Sequence, residues 1–212
     1  MHHLTDKDLT EYAEKHSSPE SALLSEINRE THLNVPMPRM LSGHLQGRAL
    51  AMFSYMLQPS RILEIGTYTG YSAICMCEGL KPDGKLITLD INEELEDRVR
   101  GYFERSGYAP QIEYILGNAL EIIPGLGESF DMVFIDADKK SYGAYYDLVI
   151  DKVRPGGVII ADNVLRMGKV VTAETDGETR NMQQFNEKIL NDERVENLLL
   201  PIRDGLMMAR KR

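Results

Sequence analysis

The stretch Arg61 to Ser72, RILEIGTYTGYS, limits what this chain can fold into more than any other. A strand-length run that is apolar apart from its acid, followed at once by a glycine turn and then Ser-Ala-Ile-Cys-Met, reads as a buried parallel strand feeding a helix. Gly66 and Gly70 permit a tight turn and a close approach of backbone to ligand, and a helix opening near Gly70 presents free N–H groups toward it. A dinucleotide-binding loop needs a small residue at its middle glycine so that a pyrophosphate can approach, and here that position is Tyr68. A pyrophosphate is therefore not expected in this turn. A glycine turn that merely joins strand to helix stays open as an alternative.

Around this stretch the chain alternates strand and helix. Strands are expected at Lys85 to Asp90, Gln111 to Leu116, Phe130 to Ile135 and Gly157 to Ala161, with helices at Glu93 to Arg105, Ala119 to Ile123, Tyr142 to Ile150 and Arg180 to Leu190. Such alternation predicts an open, mostly parallel sheet with helices on both faces. Val195 to Leu200 and Leu206 to Arg210 are joined by a turn too short for a parallel crossover, so they must pair antiparallel. Upstream, helices are expected at Thr5 to Lys15 and Pro19 to Leu33, the second opened by Ser18 and Pro19. Prolines 36 and 38 should keep Asn34 to Arg39 out of helix. A third helix opening at Ser42-Gly43-His44 carries Leu45, Ala49, Leu50, Met52, Phe53 and Met56 on its apolar side, and Pro59 stops it. At 212 residues the economical reading is one domain over 1–212, a helical segment 1–58 leading into a sheet core 59–212, burying roughly 70% of its unfolded surface.

Composition narrows the class. With 42% hydrophobic and 27% charged residues the chain is ordinary for a soluble protein, and no apolar run approaches a membrane span. Its polar start lacks the apolar stretch of a signal peptide, so a cytoplasmic location is expected. A net charge of -9 argues against a broad electrostatic grip on nucleic acid. Cys75 and Cys77, one residue apart on a helix, suit neither a disulfide framework nor a zinc knuckle and read as buried thiols. His2 and His3 are assigned no chemistry.

In open parallel sheets ligands bind at the carboxyl ends of the strands, and this chain places an acid or amide at nearly every one: Glu64, Asp90, Asn118, Asp136 with Asp138, and Asp162 with Asn163. Asp90 stands where an acid takes the ribose hydroxyls of an adenosine; the alternative is a cap on the helix after Asn92. Asp136, Asp162 and Asn163 end strands expected to be neighbours. Two carboxylates there repel unless a cation lies between them or one keeps its proton. Oxygen-only donors favour a hard divalent ion, Mg2+ first, with Ca2+ or Mn2+ as substitutes. A plain turn at Asp162-Asn163 and a helix cap at Asp136 are the simpler alternatives. Like-charge repulsion beside a divalent ion would favour the neutral amine of Lys139, able to accept a proton; without the ion Lys139 is a solvated surface lysine.

The turn Glu64-x-Gly66-x-x-x-Gly70 resembles the first motif of class I S-adenosylmethionine (SAM) methyltransferases. LEIGTYTGYSA, FIDADK and ADNV, in this order and at these separations, resemble the cation-dependent O-methyltransferases, the catechol and caffeoyl-CoA O-methyltransferase family, and most closely its caffeoyl-CoA-type and bacterial branch. The likeness runs from about residue 10 to 212 and includes LLLPIRDGLMMARK. It implies a Rossmann-like α/β fold with a seven-stranded, mostly parallel sheet closed by an antiparallel hairpin. It implies SAM contacts at Glu64, Gly66, Thr67, Ser72, Asp90, Ala119, Asp136 and Asp138, and at Leu41 within a segment over the methionine end. It implies a metal on Asp136, Asp162 and Asn163, Lys139 as the base, and a homodimer built on the N-terminal and third helices. Asn118 departs from a frequent acid, and Arg166 stands where the plant enzymes carry an aromatic residue.

The expected reaction is methyl transfer from SAM to a hydroxyl of a catechol-like small molecule with vicinal hydroxyls. Three rivals remain: a tRNA hydroxyuridine methyltransferase of the same family, which the acidic charge disfavours; a nicotinamide-dependent dehydrogenase, against which Tyr68 and the antiparallel hairpin speak; and a non-catalytic SAM-binding protein, in which Lys139 and the metal set would have no purpose. The acceptor would be read by Pro36 to Gly43, Val164 to Arg180 and Asn181 to Asn186, where no residue has a unique partner.

Overall fold

Strands buried on both faces read as near-continuous apolar runs, and the central ones do so apart from the buried Glu64 and Thr88. The computed structural model describes residues 7–172 and 176–212; His2, His3 and the expected helix start at Thr5 lie outside the described residues. Its strands are β1 (Arg61–Ile65), β2 (Lys85–Asp90), β3 (Ile112–Leu116), β4 (Phe130–Ile135), β5 (Val153–Asp162), β6 (Val195–Leu200) and β7 (Leu206–Lys211). They form one sheet in the order β3-β2-β1-β4-β5-β7-β6. β1 to β5 pair parallel, and β7 runs antiparallel to both β5 and β6, as the short turn requires. Strand order reverses between β1 and β4, where such sheets open a crevice at their carboxyl rim.

Side-chain alternation sends Leu63, Ile65, Val133, Ile135 and Ile159 to one face and Ile62, Met132, Phe134 and Ile160 to the other. The first face is covered by α6 (Ala119–Ile122), α7 (Tyr142–Ile150) and α8 (Gly177–Leu190), and Phe185 meets the rings of Tyr142 and Tyr146 edge-on. The second is covered by α2 (Ala22–Asn34), α3 (Gly43–Leu57), α4 (Tyr71–Cys77) and α5 (Glu96–Arg105); α1 (Lys7–Lys15) packs on α3. Cys75 and Cys77 are buried free thiols, and burial pushes Cys75 up to about 12.

Several boundaries differ from the sequence reading. α2 begins three residues later than expected, because Ser21 and not Ser18 accepts the cap bond, from Leu24 N at 3.2 Å. The proline linker is not wholly extended: Pro38–Met40 forms a 3-10 turn, which proline tolerates at its first position. β5 starts before Pro155-Gly156, because a register shift against β4 lets Val153 pair with Phe130 ahead of the bulge. The buried stripe of α3 is Gln46, Gly47, Leu50, Ala51 and Ser54, while Met52 and Met56 are exposed. Small residues win that face because α4 lies close: a Cβ on Gly47 would stand 2.6 Å from the Tyr71 ring, and one on Gly79 would stand 2.2 Å from Ser54 backbone.

Candidate active site

The parallel register sets the site. Ile65 pairs with both Leu89 and Ile135, and Ile135 pairs with Ala161, so Gly66, Asp90, Asp136 and Asp162 come together at one rim. Gly66 N donates to Leu89 O at 2.9 Å, and Asp136 N donates to Ile65 O at 2.8 Å. Gly66 has φ +102, and a Cβ there would lie 1.9 Å from the Asp136 carbonyl oxygen. At Gly70, with φ +78, a Cβ would lie 2.7 Å from the Phe103 ring. Both glycines are thus demanded by neighbouring protein and by backbone angle; the sequence reading had named the tight turn and a ligand's approach, but not these protein neighbours.

The turn itself hangs from Asp90. Its Oδ2 accepts from Thr67 N at 2.9 Å and Tyr68 N at 2.7 Å, and its Oδ1 from Asn92 N at 2.9 Å. Asn92, not Asp90, caps the following 3-10 turn by accepting from Glu94 N. Tyr68 adopts a left-handed φ of 49°, and its hydroxyl donates to Pro36 O and Met37 O, tying the proline linker to the turn. Beneath it Glu64 is fully buried, accepting Ser72 Oγ and Thr88 Oγ1, each at 2.5 Å. Burial pushes the Glu64 carboxyl up to about 8 against these donors, which pull the other way, with Asp136 and Asp90 adding repulsion.

On the other side, Lys139 Nζ donates to Asp136 Oδ1 at 3.0 Å and to the Tyr142 hydroxyl at 2.7 Å. That hydroxyl lies 3.0 Å from Asp162 O and 3.2 Å from Ile135 O, so Tyr142 joins the ends of β4 and β5. Asp162 is 1% exposed; Gln46 Nε2 donates to its Oδ2 at 2.8 Å and Asn163 N to its Oδ1 at 2.7 Å. Burial pushes the Asp162 carboxyl up to about 7, and the charge on Asp136 adds to the effect. Asn163 takes a left-handed φ of 58°, which asparagine adopts more readily than most residues.

Three residues of this side were not singled out in the sequence. Tyr142 was read only as the start of a helix. Gln46 lies on the i, i+4 stripe with Leu50 and Ser54, a polar residue in a buried row that the larger apolar residues obscured. Arg203, in the turn between β6 and β7, donates to Gln46 Oε1 at 3.0 Å and to Ser42 O at 2.5 Å, and no sequence signal marks it. Asp138 is held by Tyr145 at 2.5 Å and Ser141 at 2.6 Å. Asn118 caps α6, whose first residue is the buried Ala119. Leu41 is buried beside the segment that Arg203 grips.

The residues fit a hard cation in chemical type. The set is two carboxylates and an amide, and each oxygen of Asp162 accepts one donor, which leaves lone pairs free. Among the described residues no group of three or more His, Cys, Asp or Glu side chains gathers as a candidate metal site, so any such site rests on this mixed set.

A family model described as O-methyltransferase matches residues 14–212. The caffeoyl-CoA O-methyltransferase of Mesembryanthemum crystallinum is 35% identical over 190 residues, 83% of this chain and 74% of that protein. The catechol O-methyltransferase of Mycobacterium tuberculosis is 36% identical over 156 residues, 71% of each. The SAH-bound Podospora anserina methyltransferase PaMTH1 superposes with a TM-score of 0.90 at 28% identity, covering 98% of this chain and 95% of that one. With its glycine turn, its rim of acids and its one antiparallel strand, the chain belongs to the SAM-dependent O-methyltransferase family.

Proposed function

We propose that this chain methylates a hydroxyl of a catechol-like small molecule with the help of a divalent cation. The observation behind this reading is the β4–β5 register, which sets Asp136 and Asp162 side by side with Lys139 Nζ on Asp136. Asp136, Asp162 and Asn163 would hold the cation, and Glu64, Gly66, Thr67, Ser72 and Asp90, with Leu41, Ala119 and Asp138 at its edges, would form the SAM side. SAM supplies an electrophilic methyl group, and a bound cation supplies Lewis-acid charge that favours the ionised form of the acceptor hydroxyl.

The protein's own groups do the rest. With SAM bound, the Lys139 amine would accept the proton of the acceptor hydroxyl as the methyl group leaves sulfur for oxygen. Tyr142 fixes that amine from below through its 2.7 Å contact. The linker that Tyr68 ties to the glycine turn would help hold donor and acceptor at a fixed distance and alignment. We assign the exposed Met52, Tyr55 and Met56 of α3, with Leu9 and Tyr12 of α1, to contact with a second copy of the chain; light scattering that gives a monomer mass would remove that assignment. No described helix is long and apolar enough to cross a membrane.

The test is transfer of label from SAM to catechol, a hydroxycinnamoyl-CoA ester or undermodified tRNA, each with Mg2+, Mn2+ or Ca2+ and with EDTA. Metal-dependent labelling of the dihydroxy acceptors is expected. Full activity in EDTA would remove the cation from the reaction, and labelling of tRNA alone would replace the acceptor class.

A further inference from the structure

Two polar side chains on the metal side, the buried Gln46 and the exposed Arg203 that reaches in to it, have no part in the chemistry above, and their hydrogen bonds run in line. Arg203 Nη1 donates to Gln46 Oε1 at 3.0 Å, and Gln46 Nε2 donates to Asp162 Oδ2 at 2.8 Å. We propose that Gln46 and Arg203 are positioning residues, a one-way amide relay that orients the Asp162 carboxylate and so sets how tightly the site holds a divalent cation; this rests on Asp162 being a metal ligand.

The direction of the relay follows from donor chemistry. The two ends of a glutamine amide are alike in shape, and only their partners decide which faces where. A guanidinium can only donate, so it must face Oε1. That turns the amide N–H groups toward Asp162, whose Oδ2 accepts from Nε2. With Asn163 N on Oδ1, each oxygen of Asp162 then carries one donor, and the plane of the carboxylate is held from both sides. Gln46 itself is 0% exposed, so no water competes for either end.

Arg203 shows a second sign of this role. It sits in the left-handed region, φ 50°, which glycine adopts without strain and a long side chain does not. The turn does not need arginine to hold together: Gly205 N bonds Ile202 O, and Val164 N and Leu165 N bond Gly205 O and Asp204 O. What the arginine adds is its reach inward to Gln46 Oε1 and Ser42 O, which fastens the start of α3 and the relay to one guanidinium. Partners one step behind a metal ligand commonly change metal affinity by about 10–100-fold when removed.

The experiment titrates the full chain with Mn2+ alone, reading free Mn2+ by electron paramagnetic resonance, for the wild type, Gln46→Met, Arg203→Gly and the double variant. Methionine keeps the length of Gln46 without its amide, and glycine relieves the left-handed backbone, so weakened binding with an undiminished thermal midpoint in Arg203→Gly separates orientation from folding. Each single variant is expected to bind Mn2+ about 10-fold or more weakly. The double variant is expected to bind no more weakly than Gln46→Met, because the orienting effect of Arg203 reaches Asp162 through the Gln46 amide. Wild-type affinity in both single variants overturns the relay and leaves the metal site standing, as do additive losses in the double variant. A wild type that binds no Mn2+ overturns both.

Discussion

Glu64→Gln isolates one ionisation whose structural cause is plain. Below pH 4.5, the ordinary value for this side chain, the carboxyl is protonated in folded and unfolded chains alike. Between 4.5 and about 8 the unfolded chain ionises while the folded chain keeps its proton. The stability that the neutral group contributes is therefore complete below 4.5 and is lost as pH rises through about 8. That interval corresponds to roughly 5 kcal/mol at most, and about 2 kcal/mol once the interior relaxes around the charge. Glutamine is neutral throughout and can be accommodated: its carbonyl accepts Ser72 Oγ, and its amide donates to Thr88 Oγ1, which turns its own proton to Thr67 Oγ1 at 2.6 Å. The assay is urea unfolding of both proteins without cofactor from pH 4 to 9, followed by circular dichroism. The variant should match the wild type at the acid end and exceed it by about 2 kcal/mol at the alkaline end, several degrees in melting midpoint for a chain of this size. Asp162 titrates in both proteins, so the difference between them reports Glu64 alone. A difference that stays flat across the range would refute the buried neutral carboxyl.

Gly66→Ala places a methyl 1.9 Å from the Asp136 carbonyl oxygen; a loss of about 2–4 kcal/mol by denaturant unfolding is expected, with SAM binding weakened by calorimetry. Lys139→Ala should slow methyl transfer by about 100-fold or more in single turnover while SAM still binds; an unchanged rate would assign the proton elsewhere. Tyr142→Phe removes the hydroxyl between Lys139 Nζ and the carbonyls of Ile135 and Asp162, and should destabilise by about 1–3 kcal/mol with a lower kcat, both read on purified protein.

How much of this was legible in the sequence depended on the range of the interaction. RILEI, KLITLD and FDMVFI announce themselves as strands because segments buried on both faces read as mostly apolar runs of strand length. The acids at their ends follow from strand length alone, which is why Glu64, Asp90, Asp136 and Asp162 could be placed before any coordinates. The face of α3 could not, because its contact with α4 selects small residues over large ones, and apolar spacing favoured Met52 and Met56 over Gly47 and Ser54. Gln46 and Arg203 were hidden for a related reason. Their meaning lies in what the fold brings opposite them, and neither has a neighbour in sequence that hints at it.

The span of these contacts has a consequence for how the molecule matures. Arg203 meets Gln46 across 157 residues of chain, and Gln46 meets Asp162 across 116. Pairings so distant form only after large loops have closed, later than the strand-and-helix units that assemble from neighbours. A partly refolded molecule should therefore regain its helical signal before it regains turnover, leaving a population with a recognisable backbone and an unfinished catalytic centre. Stopped-flow dilution from denaturant, with ellipticity and methyl transfer followed in parallel, should show the two separated in time; recovery in a single shared phase would mean that the far-apart ends of the chain meet early.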